Sequence, residues 1–266
     1  MRSILAFLVL VAAGMAGTAR AAPGSVYLED LTWTELRDAI KAGDTTIIIP
    51  VGGTEQNGPH MALGKHNTRA RILAGRIANK LGDTLVAPVL AYVPEGSISP
   101  PSEHMRFPGT ISIPDSAFKA TVLGAARSLK QAGFTHIVLL GDHGGYQHLL
   151  KDVAAELNRE WAGTPARAHF IDEYYRASET AYVQALRAKG LSDAQIGVHA
   201  GTADTSLQMA VDPSQVRADR LEGAEKPATG ALGDPRPSTA ALGQLGVDLI
   251  VTQTVAAIKK ARAEKR

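Results

Sequence analysis

Glu55, His66 and His143 are a carboxylate and two imidazoles, a set that suits a divalent ion such as zinc and leaves one coordination position open for water. Glu55 lies in Pro50-Val51-Gly52-Gly53-Thr54-Glu55-Gln56-Asn57-Gly58-Pro59-His60, and His66 follows six residues later. This loop comes directly after the β-branched run Thr45-Thr46-Ile47-Ile48-Ile49, which predicts a buried strand. In open α/β sheets ligands bind where strands end, so the loop is well placed to carry chemistry. His143 stands in Gly141-Asp142-His143-Gly144-Gly145, at the end of a second apolar run, His136–Leu140. Taken singly, each residue has a plainer reading: a lone histidine at a strand end is more often a hydrogen-bonded structural residue. Glu55 alone could face solvent or partner a helix cap, and Asp204 alone could be a first-turn helix carboxylate. His60 is expected to fix its loop behind the ligands. His136, His148 and His169 read as structural, and His104, within a long loop, is left open.

Alternating strands and helices must position these residues. Thr32-Trp33-Thr34-Glu35 has the spacing of a capping box before a helix ending near Gly43. Ile72, Leu73, Ile77 and Leu81 predict an amphipathic helix over residues 67–81, with Arg69, Arg71, Arg76 and Lys80 between its apolar positions. A strand is expected over 84–93, a helix over 114–132, a strand over 136–140 and a helix over 147–161. A further strand (168–171), one helix over 177–189 and a short helix reaching Val211 follow, and Ser238 is expected to cap a long final helix. The segment 94–110 is rich in Pro, Gly and Ser, and a loop of that length in a compact domain is usually functional. The pattern predicts an α/β fold of three layers, α/β/α, around a mostly parallel sheet.

Composition narrows the classes. Met1-Arg2-Ser3, the apolar run Ile4–Ala13 and Ala19-Arg20-Ala21 have the form of a secretory signal peptide (1–21), too short in its apolar part to span a membrane. Residues 22–266 suffice for one domain. Without Arg2 and Arg20, the 28 basic residues fall to 26 against 26 acids, so no general basic field for nucleic acid remains. The chain has no cysteine, which excludes disulfides and thiolate ligands and leaves nitrogen and oxygen to hold any metal.

Five collinear motifs carry a resemblance. P-V-G-G-T-E-Q-N-G-P-H-M-A-L-G, F-P-G-T-I-S, G-D-H-G-G, H-A-G-T-A-D-T-S and G-D-P-R occur in the order and at about the spacings of the creatininase (creatinine amidohydrolase) family. The resemblance covers roughly residues 30 to 260 and implies an α/β/α fold, a centre of one or two divalent ions, hydrolysis of an amide bond, and assembly into oligomers, often hexamers. Glu55 and His143 match two of the family's ligands. His66 stands where the family has a bridging aspartate, and Asn57 stands where it has a ligand histidine. Gly145 takes the place of a glutamate found in creatinine-hydrolysing members, and Asp204 that of the glutamate in H-A-G-x-x-E-T-S. One site is thus preserved and a second has lost its ligands, so one divalent ion is expected, zinc first, with manganese or iron as alternatives. Gln195-Ile196 replace the aromatic residues of the family's substrate clamp, which points away from creatinine itself.

The resulting expectation is a periplasmic or secreted metal-dependent amidohydrolase that cleaves a non-peptide C–N bond in a cyclic or small linear amide. Asp204 is expected to orient or deprotonate the attacking water, and His199 to protonate the leaving nitrogen. Ser102 and His104 are expected to cover the substrate. The alternative is a non-catalytic periplasmic member of the same fold that binds a small molecule or a partner.

Overall fold

A computed structural model describes residues 24–264; the expected signal peptide lies outside the described residues. In chain order the elements are α1 (Trp33–Lys41), β1 (Thr46–Val51), α2 (Lys65–Leu81), β2 (Thr84–Val86), α3 (Asp115–Ala132), β3 (His136–Gly141), α4 (Gln147–Glu160), β4 (Arg167–Phe170), α5 (Glu173–Glu179), α6 (Ala181–Ala188), α7 (Asp193–Ile196), α8 (Thr202–Val211) and α9 (Ala240–Ala263). Thr32 and Glu35 close the expected capping box on α1, a contribution of about 1 kcal/mol.

The four strands are parallel, in the order β2-β1-β3-β4, with β1 and β3 paired from Thr46 opposite His136 to Val51 opposite Gly141. Side chains alternate between faces. Ile47, Ile49 and Val51 of β1, with Ile137 and Leu139 of β3, pack among Phe118, Val122, Leu150 and Trp161 of the α3 and α4 layer. Ile48, Val138 and Leu140 pack on the other face among residues of α2, α5, α6, α8 and α9. Helices on both faces make three layers, as a parallel sheet requires. Helix α9 is long and apolar enough to cross a membrane by length and composition, and it lays Val247, Ile250, Val251 and Ile258 into this second core.

The structure corrects several boundaries. The second strand stops at Val86, because Pro88 cannot continue a sheet ladder; Leu90 and Val93 make only isolated bridges, to Val51 and Ser112. The helix expected over 177–189 is two helices, α5 and α6, which meet at Thr180 (φ −118°, ψ −78°). Thr239, not Ser238, caps α9: its side chain accepts the Leu242 N–H, whereas the Ser238 hydroxyl faces the Thr202 carbonyl at 3.5 Å. Arg69, expected between the apolar positions of α2, is buried at 5% exposure.

Candidate metal centre

The ends of β1 and β3, adjacent in register, carry the two loops of the site. Buried Tyr146 ties them together. Its hydroxyl accepts the His143 N–H (3.0 Å) and lies within donating distance of the Val51 (2.9 Å) and Gly52 (2.5 Å) carbonyls. The loop after β1 then turns Glu55 inward, and α2 starts at Lys65-His66 beside it.

Glu55, His66 and His143 come together, with one ligand atom from each lying within 4.8 Å of the others. His66 Nε2 is 2.7 Å from Glu55 Oε1, and His143 Nε2 is 3.6 Å from Glu55 Oε2. The other nitrogen of His66, Nδ1, is 2.5 Å from Asp142 Oδ1. Asp142 is itself held by Arg69 Nε (2.8 Å) and the Tyr174 hydroxyl (2.7 Å). A carboxylate behind a histidine keeps the proton on the far nitrogen and turns the bare nitrogen toward a metal. Without an ion, a proton on His66 Nε2 satisfies its contact with Glu55 Oε1, and a divalent ion would take that proton's place. Glu55 Oε2 is buried with no hydrogen-bond partner among the described residues. The donor set therefore fits a divalent ion.

The charges agree with that fit. Burial alone would raise the Glu55 carboxyl, but its contacts with His66, Lys65 and His143 hold it well below the usual carboxylate range. Burial lowers His143 to about 4 against the opposing pull of Glu55, so the imidazole stays neutral and its lone pair is available.

Around this set the structure places further groups. His104 and His199 also reach Glu55: His104 Nε2 is 3.3 Å from Oε2 and His199 Nδ1 is 3.8 Å from Oε1. With Glu55 they form a second group of potential ligands. Burial lowers His199 to about 3, so it is neutral. The two non-glycine residues with positive φ among those described adjoin these histidines: Glu103 (φ 47°) precedes His104 and Ala200 (φ 53°) follows His199. Such strained backbone persists where surrounding contacts hold it; the Ala200 N–H is fixed by Asp204 Oδ2 at 3.0 Å. Asp204 also receives Lys65 Nζ on Oδ2 (2.7 Å) and Arg69 Nη1 on Oδ1 (2.9 Å), so both of its oxygens are engaged. Ser102 is not brought to the cavity: its hydroxyl accepts the Ser97 N–H within its own loop. His60 is buried, with Nε2 2.9 Å from Thr205 Oγ1, and joins the loop to α8.

Four groups escape a reading of the sequence. Asp142 and Lys65 are sequence neighbours of His143 and His66, a proximity that signals them only once those ligands are suspected. Arg69 is hidden by its place in a helix that reads as amphipathic. Glu95 has no local signal. It is buried, neither of its oxygens has a hydrogen-bond partner among the described residues, and Oε2 is 3.7 Å from His143 Nδ1. Burial and the nearby Glu55 charge raise its carboxyl to about 9. The room for Glu95 depends on Gly53 (φ 151°), where a Cβ would meet its Oε1.

A parallel sheet whose strand ends converge on nitrogen and oxygen donors above a cavity of about 240 Å³ is the layout of a metal-dependent hydrolase. Residues 29–258 match the creatininase family, described as creatinine amidohydrolase, and the chain belongs to that family of hydrolases. It is 27% identical to the creatinine amidohydrolase of Pseudomonas putida over 257 residues, 89% of this chain and 97% of that one. It is 29% identical to the mycofactocin precursor peptide peptidase of Mycolicibacterium smegmatis over 221 residues, 74% of this chain and 78% of the relative. Among solved structures, one described as creatininase Mn is 26% identical, with a TM-score of 0.74, covering 90% of this chain and all of that one. A creatininase variant of the Zn-Zn type has the same identity and TM-score, over 90% and 99% of the two chains. Creatininase structures thus carry manganese or zinc, and this chain has candidate residues to hold such an ion.

Proposed function

We propose that the protein is an exported hydrolase of a non-peptide C–N bond in a small linear or cyclic amide, with one divalent ion, zinc before manganese or iron, held by Glu55, His66 and His143. The observation that carries this reading is the Asp142–His66–Glu55 line, in which one carboxylate holds Nδ1 and Nε2 lies 2.7 Å from another, where a divalent ion can replace the shared proton. When bound, such an ion supplies Lewis acidity, making water a nucleophile near neutral pH and polarising a carbonyl.

The chain's own groups do the rest. His199 enters the reaction neutral. Its Nε2–H is directed at the Gln56 carbonyl (3.0 Å), and Nδ1 is bare on the Glu55 side. Its bare Nδ1 can accept a hydrogen bond from the attacking water and, when protonated, readily gives that proton to the leaving nitrogen. Asp204, with both oxygens engaged by cations, is better suited to anchoring Lys65 and Arg69 than to acting as a base. His104 stands over Glu55 from the long loop and can contact a bound amide. Val183, Val198 and Leu232 give the cavity an apolar wall, and Tyr175 and Ser178 give it polar groups, an environment that suits a small amide with an aliphatic body.

Export rests on the leader at 1–21. Assembly into an oligomer, hexameric by the family resemblance, rests on that resemblance alone. The test is elemental analysis and activity against a panel of lactams and small linear amides, for wild type and His143→Ala. The wild type should carry metal and hydrolyse a panel member. His143→Ala should lose both, by more than about 100-fold in activity. Retained metal with full activity in the variant would sink the assignment.

A further inference from the structure

Lys65 is the least expected residue of the site. It is 1% exposed, yet it borders the cavity. An ammonium has three donors. The one side-chain hydrogen bond of Lys65 among the described residues goes to Asp204 Oδ2 at 2.7 Å, and Nζ stands 3.8 Å from Glu55 Oε1. The lone pair of His199 Nδ1 faces the same Glu55 oxygen, also at 3.8 Å. Lys65 thus sets a fixed positive charge between two carboxylates, Glu55 and Asp204, at the edge of the metal site.

The other potential group, Glu55 with His104 and His199, does not offer three lone pairs. The Gln56 amide is fixed by two backbone partners: Oε1 accepts the Gly58 N–H (2.9 Å) and Nε2 donates to the Gly230 carbonyl (2.9 Å). An amide nitrogen cannot accept, so His104 Nδ1, 2.9 Å from Gln56 Nε2, must. A ring hydrogen of His104 is then on Nε2, the atom that faces Glu55 Oε2 at 3.3 Å. The family's lost ligand position offers nothing in its place. Asn57 turns its Nδ2 to the backbone carbonyls of Glu55 (2.8 Å) and Ala62 (3.1 Å).

We infer that the Lys65 ammonium serves as the second cation of the centre, so that the centre works with one divalent ion and one fixed organic cation. This rests on the reading of Glu55, His66 and His143 as the metal ligands. Lys65 then neutralises Glu55 and Asp204 without a second dication. Its two uncommitted N–H groups are free to donate to the carbonyl oxygen of an amide in the cavity.

The test needs no substrate. Purified full-length protein is loaded with excess Mn²⁺, freed of unbound ion and measured for metal per chain and by electron paramagnetic resonance. Wild type should hold one ion, with the six-line signal of an isolated Mn²⁺. Lys65→Met, of similar length and without charge, should leave Glu55 and Asp204 without their shared cation, raise the count to two and give the broadened spectrum of a coupled pair. Lys65→Gln carries the same test if the methionine variant does not fold. Two ions in wild type would overturn the role given to Lys65 and leave the metal centre standing. One ion in both wild type and a folded variant would overturn it as well. No ion in wild type would instead sink the metal-centre reading on which it rests.

Discussion

Two histidine pairs lie along β3, and only one of them is built for chemistry. Near the start of the strand, His136 and His169 stack with ring centroids 5.2 Å apart and an interplanar angle of 27°, joined by a 3.0 Å contact between Nδ1 and Nε2. Beyond its other end, His66 and His143 have nearly the same centroid separation, 5.2 Å, but meet edge to face at 76°. The difference lies in the company. Burial lowers both members of the first pair, His169 to about 4, the Arg262 charge lowers them further, and neither has a carboxylate within ion-pair distance among the described residues. At the other end Glu55, Asp142 and Glu95 surround the rings. Two histidines sharing a hydrogen bond brace a sheet; two histidines aimed by carboxylates make a ligand set.

The comparison can be broken at its strongest point by Asp142→Asn. If the carboxylate is what aims His66, metal affinity should fall roughly 10–100-fold in a chelator competition. An affinity unchanged from wild type would mean that Arg69 and Tyr174, not the charge, set the ring. A smaller effect is expected from Glu95→Gln. A carboxyl raised from 4.5 to about 9 by folding contributes stability below pH 4.5 that is lost as pH rises through 9. The metal-free amide variant should therefore melt higher than metal-free wild type at pH 8, by roughly 3 °C or more, and the gap should close toward pH 4.5. A gap independent of pH would remove Glu95 as a source of strain. The smallest effect is expected from His169→Asn, which should leave metal affinity within about twofold of wild type, since distant sites act independently. A larger loss would show that the two ends of β3 are coupled.

Much of this arrangement can be read from the sequence, because it is local. The run Ile47-Ile48-Ile49 forms a buried strand, and the punctuation Gly141 to Gly145 ends another. Both place their next polar residues at the same sheet edge, which is why Glu55, His66 and His143 meet. The boundaries that misled were those decided by one residue against a periodic trend, such as Pro88 after β2 or the break at Thr180. What stayed illegible depends on tertiary placement. Nothing in Val93-Pro94-Glu95-Gly96 shows that Glu95 folds back against His143, and the helical spacing of Arg69 hides its burial between Asp142 and Asp204.

The phenol of Tyr146 bears on how an ion would enter. By gripping the backbone after β1 and the amide of His143 at once, it holds two loops of the centre in one arrangement before any ligand atom is engaged. An incoming ion therefore has little chain to immobilise on binding. The entropy of ordering these loops belongs to the folding of the domain rather than to the affinity of the site.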